Sequence, residues 1–300
     1  YESLNTLLAA LDKELATFSQ TNFSVLVVDD GSAEPVKVNR PERFPVDILH
    51  LQRNIGHQKA IAVGLAYIKE NKSCDKVLIM DSDGEDRPED VAALLQASEA
   101  QPGKIIFAGR KSRQEGSHFR FFYQLYKLAF RVLTGRRIAF GNFMLMPKSL
   151  LDKVVYYSEI WNHIAGGILK TGLPYISVET HRGRRYAGRS KMNFQSLLMH
   201  GLGAIAVFME VIASRLLIFS LAMIGLSLVA ILALVGIRTF TDKAIPGWTS
   251  TVVSAMLIVL LQSFLLSLFT IFLYLSSQSQ RKFIPAQHYR DYTGATETIQ

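Results

Sequence analysis

Two stretches constrain this chain more than anything else in it: Leu216 to Ile237 is 22 residues long, Val252 to Leu275 is 24, and neither holds a charge. A helix needs ~20 apolar residues to cross the hydrocarbon of a bilayer, where each peptide group must find its partner inside the helix. The other reading, a pair of core helices in a soluble protein, sits poorly with so long an uncharged run. The connector, Arg238 to Ser250, contains Pro246-Gly247-Trp248, a turn with an interfacial aromatic. Two spans make a hairpin, so both flanks emerge on one side. The preceding flank carries Arg182, Arg184, Arg185, Arg189 and Lys191, and the following one Arg281, Lys282 and Arg290. The connector has only Arg238 and Lys243, partly offset by Asp242. The positive-inside rule then puts both flanks in the cytoplasm, and a bacterial inner membrane is the expected setting.

The rest of the chain is of a different kind. Hydrophobic residues make up 49% of the sequence, but their excess is concentrated in the last third, so a soluble part is joined to a membrane part. The net charge of +8 suits nucleic acid, an anionic membrane or phosphorylated ligands. Its clustering at His181 to Lys191, just ahead of the apolar region, favours membrane and phosphate, and no nucleic-acid-binding motif is present. Cys74 is the single cysteine, which rules out an intrachain disulfide and suits a reducing compartment.

Along the soluble part, strand and helix signals alternate. Tyr1 to Phe18 has helical amphipathicity. Apolar runs at Phe23–Val28, Val46–Leu51, Lys76–Met80 and Lys104–Ala108 read as strands, and His57–Lys69 and Glu89–Ala100 as helices between them. His118 to Thr134 predicts a long aromatic and basic helix, with further helices near Ser149–Tyr157 and Ile160–Thr171 and a strand at Pro174–Glu179. Such alternation implies an α/β domain with a mostly parallel sheet, and ligands there bind beyond the carboxyl ends of the strands. The expected organisation is a soluble domain over 1–192, a juxtamembrane amphipathic helix over 193–210, the two spans within 211–277 and a tail over 278–300.

Acidic turns fall at those strand ends. Asp81, Asp83 and Glu85 alternate directly after the third run, where carboxylate oxygens can converge on one hard divalent cation, magnesium or manganese. The bland alternative is a solvated acidic turn capping the Pro88 helix, a job for Glu85 and Asp86. Asp29-Asp30-Gly31-Ser32 closes the first run; an aspartate there can hold a base or ribose, or the turn can be an ordinary strand stop.

Taken together these turns resemble a family. Asp29-Asp30-Gly31-Ser32, Arg53-Asn54-Ile55-Gly56 leading into Ala60-Ile61-Ala62-Val63-Gly64, Asp81-Ser82-Asp83, and Gly109-Arg110 are similar to family 2 glycosyltransferases of the Rossmann-like GT-A fold. Arg185-Tyr186-Ala187-Gly188-Arg189-Ser190-Lys191 extends the resemblance to the polyprenyl-phosphate branch, which includes dolichol-phosphate mannose synthases and bacterial undecaprenyl-phosphate sugar transferases. The resemblance implies inverting transfer of a sugar from a UDP- or GDP-sugar to a polyisoprenyl phosphate, with membrane lipids around the protein and a homo-oligomer among its possible states. It implies that Asp29, Asp30 and Asn54 contact the nucleotide and that Asp81 and Asp83, with Glu85, hold metal and diphosphate. Arg110, Arg185 and Lys191 then lie near donor or acceptor phosphates. The run from His181 to Lys191 reads equally as a lipid-headgroup patch.

Two departures stand out. Relatives begin with an apolar strand and a Pro-x-Tyr-Asn-Glu-like turn, whereas Tyr1 starts after that point. Many carry Gly-Asp-Phe-Arg where this chain has Gly141-Asn142-Phe143-Met144. A phosphate acceptor, already ionised, tolerates the loss of that acid. A hydroxyl acceptor needs a base, for which Glu159 and His163 are the alternatives to a bland helix-surface Glu and a hydrogen-bonded His. A third expectation, from outside enzymology, is a non-catalytic membrane scaffold on the same fold.

Overall fold

The computed structural model describes residues 1–34, 36–110, 117–136, 141–187, 194–241, 247–279 and 282–299. They form two compact units, one of Tyr1–Ala129, Arg136–Val207 and Lys282–Gln300, the other of Phe130–Gly135 and Phe208–Arg281.

The first unit opens with α1 (Glu2–Glu14), which buries Leu7, Leu8 and Leu11 along one face, as the spacing of these leucines requires. β1 (Val25–Asp29) runs parallel to β2 (Val46–Leu51), with Val25 opposite Val46 and Asp29 opposite His50. β2 is buried along nearly its whole length, which explains why Val46, Ile48, Leu49 and Leu51 are apolar. α2 (His57–Asn71) then packs against β1 so closely that a Cβ on Gly64 would lie 2.7 Å from the Val28 side chain. β3 (Lys76–Ile79), α3 (Val91–Ala100), β4 (Ile105–Arg110) and α4 (Ser117–Thr134) follow, then β5 (Met144–Pro147), α5 (Lys148–Val154), α6 (Ile164–Thr171), β6 (Tyr175–Thr180) and α7 (Phe194–Ala206).

The layering is the α/β arrangement expected from sequence, but the sheets are mixed. β5 inserts between β3 and β4, antiparallel to both, while β4 and β6 run parallel. An apolar run announces a buried strand without announcing its direction, so alternation with helices overstated the parallel share.

The second unit holds α8 (Met209–Phe240) and α9 (Trp248–Ser279), each 32 residues long. Only 11% and 6% of their apolar windows are buried, and large side chains such as Phe219, Leu232 and Phe272 point outward. A soluble core would cover these residues, so the helices fit membrane association instead. Small residues Ser220 and Ser227 of α8 and Ser267 of α9 are buried, as close helix packing in lipid favours. Arg215, near the start of α8, donates to the Val132 carbonyl in the last turn of α4, where a cation complements the helix dipole.

The segment expected to trail as a tail beyond 278 instead re-enters the first unit. α10 (Pro285–His288) packs on α2, and β7 (Thr293–Ile299) pairs antiparallel with β2. The buried Asp47 of β2 accepts hydrogen bonds from Lys72 at the end of α2 and from Thr298 of β7, fastening three elements at one carboxylate.

Candidate active site

The chemistry-bearing turns lie in the first unit. At the end of β1, Asp29 Oδ1 accepts from the Ser32 N–H at 3.1 Å and its Oδ2 lies 2.9 Å from His50 Nδ1. Burial opposes ionisation of Asp29, but these hydrogen bonds outweigh it and hold the carboxyl below its usual range. Asp30 turns the other way. Its two oxygens accept the N–H groups of Ile55 at 2.7 Å and Gly56 at 2.9 Å, so it fastens the turn before α2 to the end of β1. Gly31 makes that junction possible. It has φ of +68°, and a Cβ there would stand 2.6 Å from the Asn54 backbone nitrogen. Asn54 is thereby fixed against the aspartate turn.

His57, the first residue of α2, links this turn to the acidic one. Its Nε2 lies 3.3 Å from Asp81 Oδ1 and 3.0 Å from Asn142 Nδ2. The Asp81 contact raises the His57 pKa most; burial opposes it, and the charges of Asp30 and Asp83 add to the rise. Asp30, Asp81 and Asp83 therefore share one neighbourhood, although 53 positions separate the first from the last. Sequence reading passed over His57; its place directly after Arg53-Asn54-Ile55-Gly56 was the available signal.

The turn from Asp81 to Asp86 is folded by its own acids and by a distant loop. Asp86 is 2% exposed and accepts the Asp81 N–H at 2.9 Å. Neither Glu85 nor Asp86 caps the Pro88 turn, whose N-cap position belongs to Arg87. The Asp83 carboxylate accepts from the Glu85 N–H and pairs with Arg185 at 2.9 Å. Glu85 pairs with Arg182 at 2.6 Å and with Arg185 Nε at 2.9 Å. Burial pushes the Glu85 pKa up, yet the two guanidinium groups prevail and the net shift is downward. Backbone bonds from Gly183 to Glu85 and from Tyr186 to Asp83 lay the loop over the turn. Two glycines permit this approach: a Cβ on Gly84, at φ +90°, would fall 2.7 Å from the Tyr186 ring, and one on Gly183 would collide with the Gly84 carbonyl.

Asp81, Asp83 and Arg185 are thus brought together. Among the described residues no three His, Cys, Asp or Glu side chains converge as a ready-made metal cage. Glu85 is committed to arginines. Asp81 Oδ1 is buried and, among the described residues, meets only the 3.3 Å approach of His57 Nε2, which leaves it suited to a cation. Magnesium commonly takes one or two carboxylates plus substrate phosphates, so Asp81 and Asp83 fit such an ion without a third acid. Arg110 closes β4 opposite Thr180 of β6. Its side chain lies outside the described part of the chain, as does Lys191.

The two alternative bases are occupied. Glu159 pairs with Lys170 at 3.0 Å, and His163, 5% exposed, accepts the Gly166 N–H at the start of α6. Burial raises the Glu159 pKa and the Lys170 ammonium more than reverses it, leaving the carboxyl below its usual range.

Comparison with known proteins adds an independent line. The model of the family described as Glycosyl transferase family 2 matches residues 1–158. The chain is 25% identical over 254 residues to the uncharacterized glycosyltransferase YkcC of Bacillus subtilis, covering 82% of this chain and 76% of that protein. It is 26% identical over 246 residues to the uncharacterized glycosyltransferase YkoT of the same organism, covering 77% and 69%. A third similar protein, the uncharacterized glycosyltransferase sll0501 of Synechocystis, is 25% identical over 252 residues, with 80% and 76% covered.

Proposed function

The chain belongs to glycosyl transferase family 2 and is a glycosyltransferase, and from that premise we propose that it moves a sugar from a nucleotide-sugar donor onto a polyisoprenyl phosphate at the cytoplasmic face of a membrane. The observation that carries this reading is the assembly of Asp81, Asp83 and Arg185 near the turn of Asp29, Asp30 and Asn54. It puts oxygen donors for a cation and a guanidinium fork for phosphate in one place.

Asp81 and Asp83 would hold magnesium or manganese, which when bound supplies positive charge to offset that developing on the departing diphosphate. Arg185 positions the acidic turn and offers a guanidinium to phosphate oxygens, with Arg110 and Lys191 as further cations of the same kind. Asn54 and Asp29 would face the nucleotide. An oxygen of the acceptor phosphate bonds to the anomeric carbon as the bond from that carbon to the donor's diphosphate oxygen breaks. The nucleoside diphosphate leaves and the configuration inverts. No proton has to be removed from an ionised phosphate, which agrees with the engagement of Glu159 and His163 in structural contacts.

The membrane side of the reading draws on the basic flanks of the hairpin and on α7, whose Met199 and Leu202 are exposed, as a helix lying along a lipid surface would have them. The test is a transfer assay on the purified full chain in detergent, offering undecaprenyl phosphate and hydroxyl lipids in parallel with UDP- and GDP-sugars. Transfer to the phosphate, dependent on added magnesium or manganese, is the expected result. Turnover confined to hydroxyl acceptors would reject the acceptor assignment.

A further inference from the structure

Arg53, Asn54, Ile55, Lys59, Trp161 and Tyr292 line an open polar cavity of roughly 250 Å³. No carboxylate lines it. Among the described residues neither Arg53 nor Lys59 has an ion-pair partner; the Lys59 ammonium instead faces the Trp161 ring at 5.4 Å. Like charges around one concavity repel, and an anion placed between them relieves that repulsion. Arginine offers phosphate a planar fork and lysine a mobile point charge.

The wall behind these cations is aromatic. Trp161 packs against Phe283 with ring centroids 3.9 Å apart and meets Tyr292 at 5.2 Å, while Phe283 and Tyr292 meet at 5.5 Å. Phe283 comes only four positions after Ser279, the last residue of α9. A chain that leaves a membrane span passes through the headgroup layer within a few residues. Tryptophan, tyrosine and basic side chains are the residue types that such a boundary favours.

We propose that this cavity is a second phosphate-binding site, which takes the headgroup of an anionic membrane lipid. Arg53 and Lys59 hold the phosphate, and Trp161 and Tyr292 seat the glycerol and the first carbons of the chains. The site lies outside the transfer chemistry and shares only Asn54 with the nucleotide turn. It rests on the membrane reading of α8 and α9, not on the acceptor proposed above.

The chain has two tryptophans, so Trp248→Phe leaves Trp161 as the sole indole reporter, inside the cavity wall. The full-length single-tryptophan protein in neutral detergent is titrated with short-chain phosphatidylglycerol, phosphatidylcholine, inorganic phosphate and nucleotide sugar. Phosphatidylglycerol should shift Trp161 emission saturably, and phosphatidylcholine should not. Arg53→Ala with Lys59→Met should weaken the apparent affinity by about 30-fold, from roughly 1 kcal/mol for each cation. Lys59→Met alone keeps the aliphatic stem over the indole and should lose about fivefold, and Lys59→Arg should retain binding. No response to phosphatidylglycerol, or one that survives loss of both cations, would overturn the site. A response to inorganic phosphate or nucleotide sugar without one to phosphatidylglycerol would overturn its assignment to lipid. Because the readout is emission and not turnover, its failure and a failure of sugar transfer are separately visible.

Discussion

Arg185 donates from Nε to Glu85, 100 positions earlier in the chain, and pairs through Nη2 with Asp83, each at 2.9 Å. One guanidinium therefore bridges two acids of the Asp81–Asp86 turn. Replacing it with alanine leaves both carboxylates without that partner. We expect Arg185→Ala to lower transfer on the order of 10²-fold, with Arg185→Lys intermediate because lysine keeps charge but not the fork. Steady-state kinetics on the purified chain, paired with a melting curve, separates this loss from unfolding.

The acids of that turn should divide by role. Asp81→Asn removes the carboxylate charge at the buried oxygen that only His57 approaches, whereas Glu85→Gln disturbs only the arginine anchor. Titration of activity with magnesium or manganese should show the half-saturating concentration rising at least about tenfold for Asp81→Asn, the loss of one charged ligand. Glu85→Gln should lower kcat without moving it. Equal shifts in the two variants would make Glu85 a ligand after all.

Gly84 tests the seating of the basic loop on the turn. Alanine at φ +90° is strained by ~1–3 kcal/mol, and its Cβ would press on the Tyr186 ring. Gly84→Ala should lower both the melting temperature and transfer. Adding Tyr186→Ala should restore part of the melting temperature, because it removes the collision while leaving the backbone strain.

Most of the layered fold was legible before the structure, and the reason is burial. The runs at Phe23–Val28, Val46–Leu51, Lys76–Met80 and Lys104–Ala108 correspond to β1 through β4, since strands packed under helices need mostly apolar side chains. β7 was not legible. Thr293–Ile299 is exposed along most of its length and is held by backbone pairing to β2, which leaves no hydrophobic pattern to find. The acidic turn could be read because its residues are adjacent. Its partners could not: Arg182 and Arg185 reach Glu85 across 97 and 100 positions, and His57 reaches Asp81 and Asn142 through tertiary packing alone. Basic residues ahead of a membrane span already had an explanation in lipid, and that explanation concealed their pairing with acids.

Asp47 offers a pH test away from the catalytic turns. Burial pushes its pKa up, but the Lys72 and Thr298 hydrogen bonds and the Lys72 charge hold it below its ordinary value of 3.8. A carboxyl with a depressed folded pKa stabilises the protein fully above the unfolded value and loses that contribution as pH falls through the folded one. Melting temperature should therefore be insensitive to Asp47 above about pH 5 and decline below pH ~4. Asp47→Asn should cost about 1–3 kcal/mol at neutral pH, with the difference from the parent protein shrinking in acid.

Glu159→Gln separates the two acceptor chemistries. A general base is worth about 10²–10⁴ in rate, so its loss would be plain in any transfer to a hydroxyl. If Glu159 only pairs with Lys170, the variant should keep transfer to polyisoprenyl phosphate within about threefold and lose a little stability.

The return of residues 282–299 to the first unit gives the protein a fixed order of manufacture. β7 is made only after both long apolar helices, so the first unit lacks that edge strand until the whole hairpin has been synthesised. Chains cut short within or just after the hairpin therefore lack the strand that completes the β1-β2-β7 sheet.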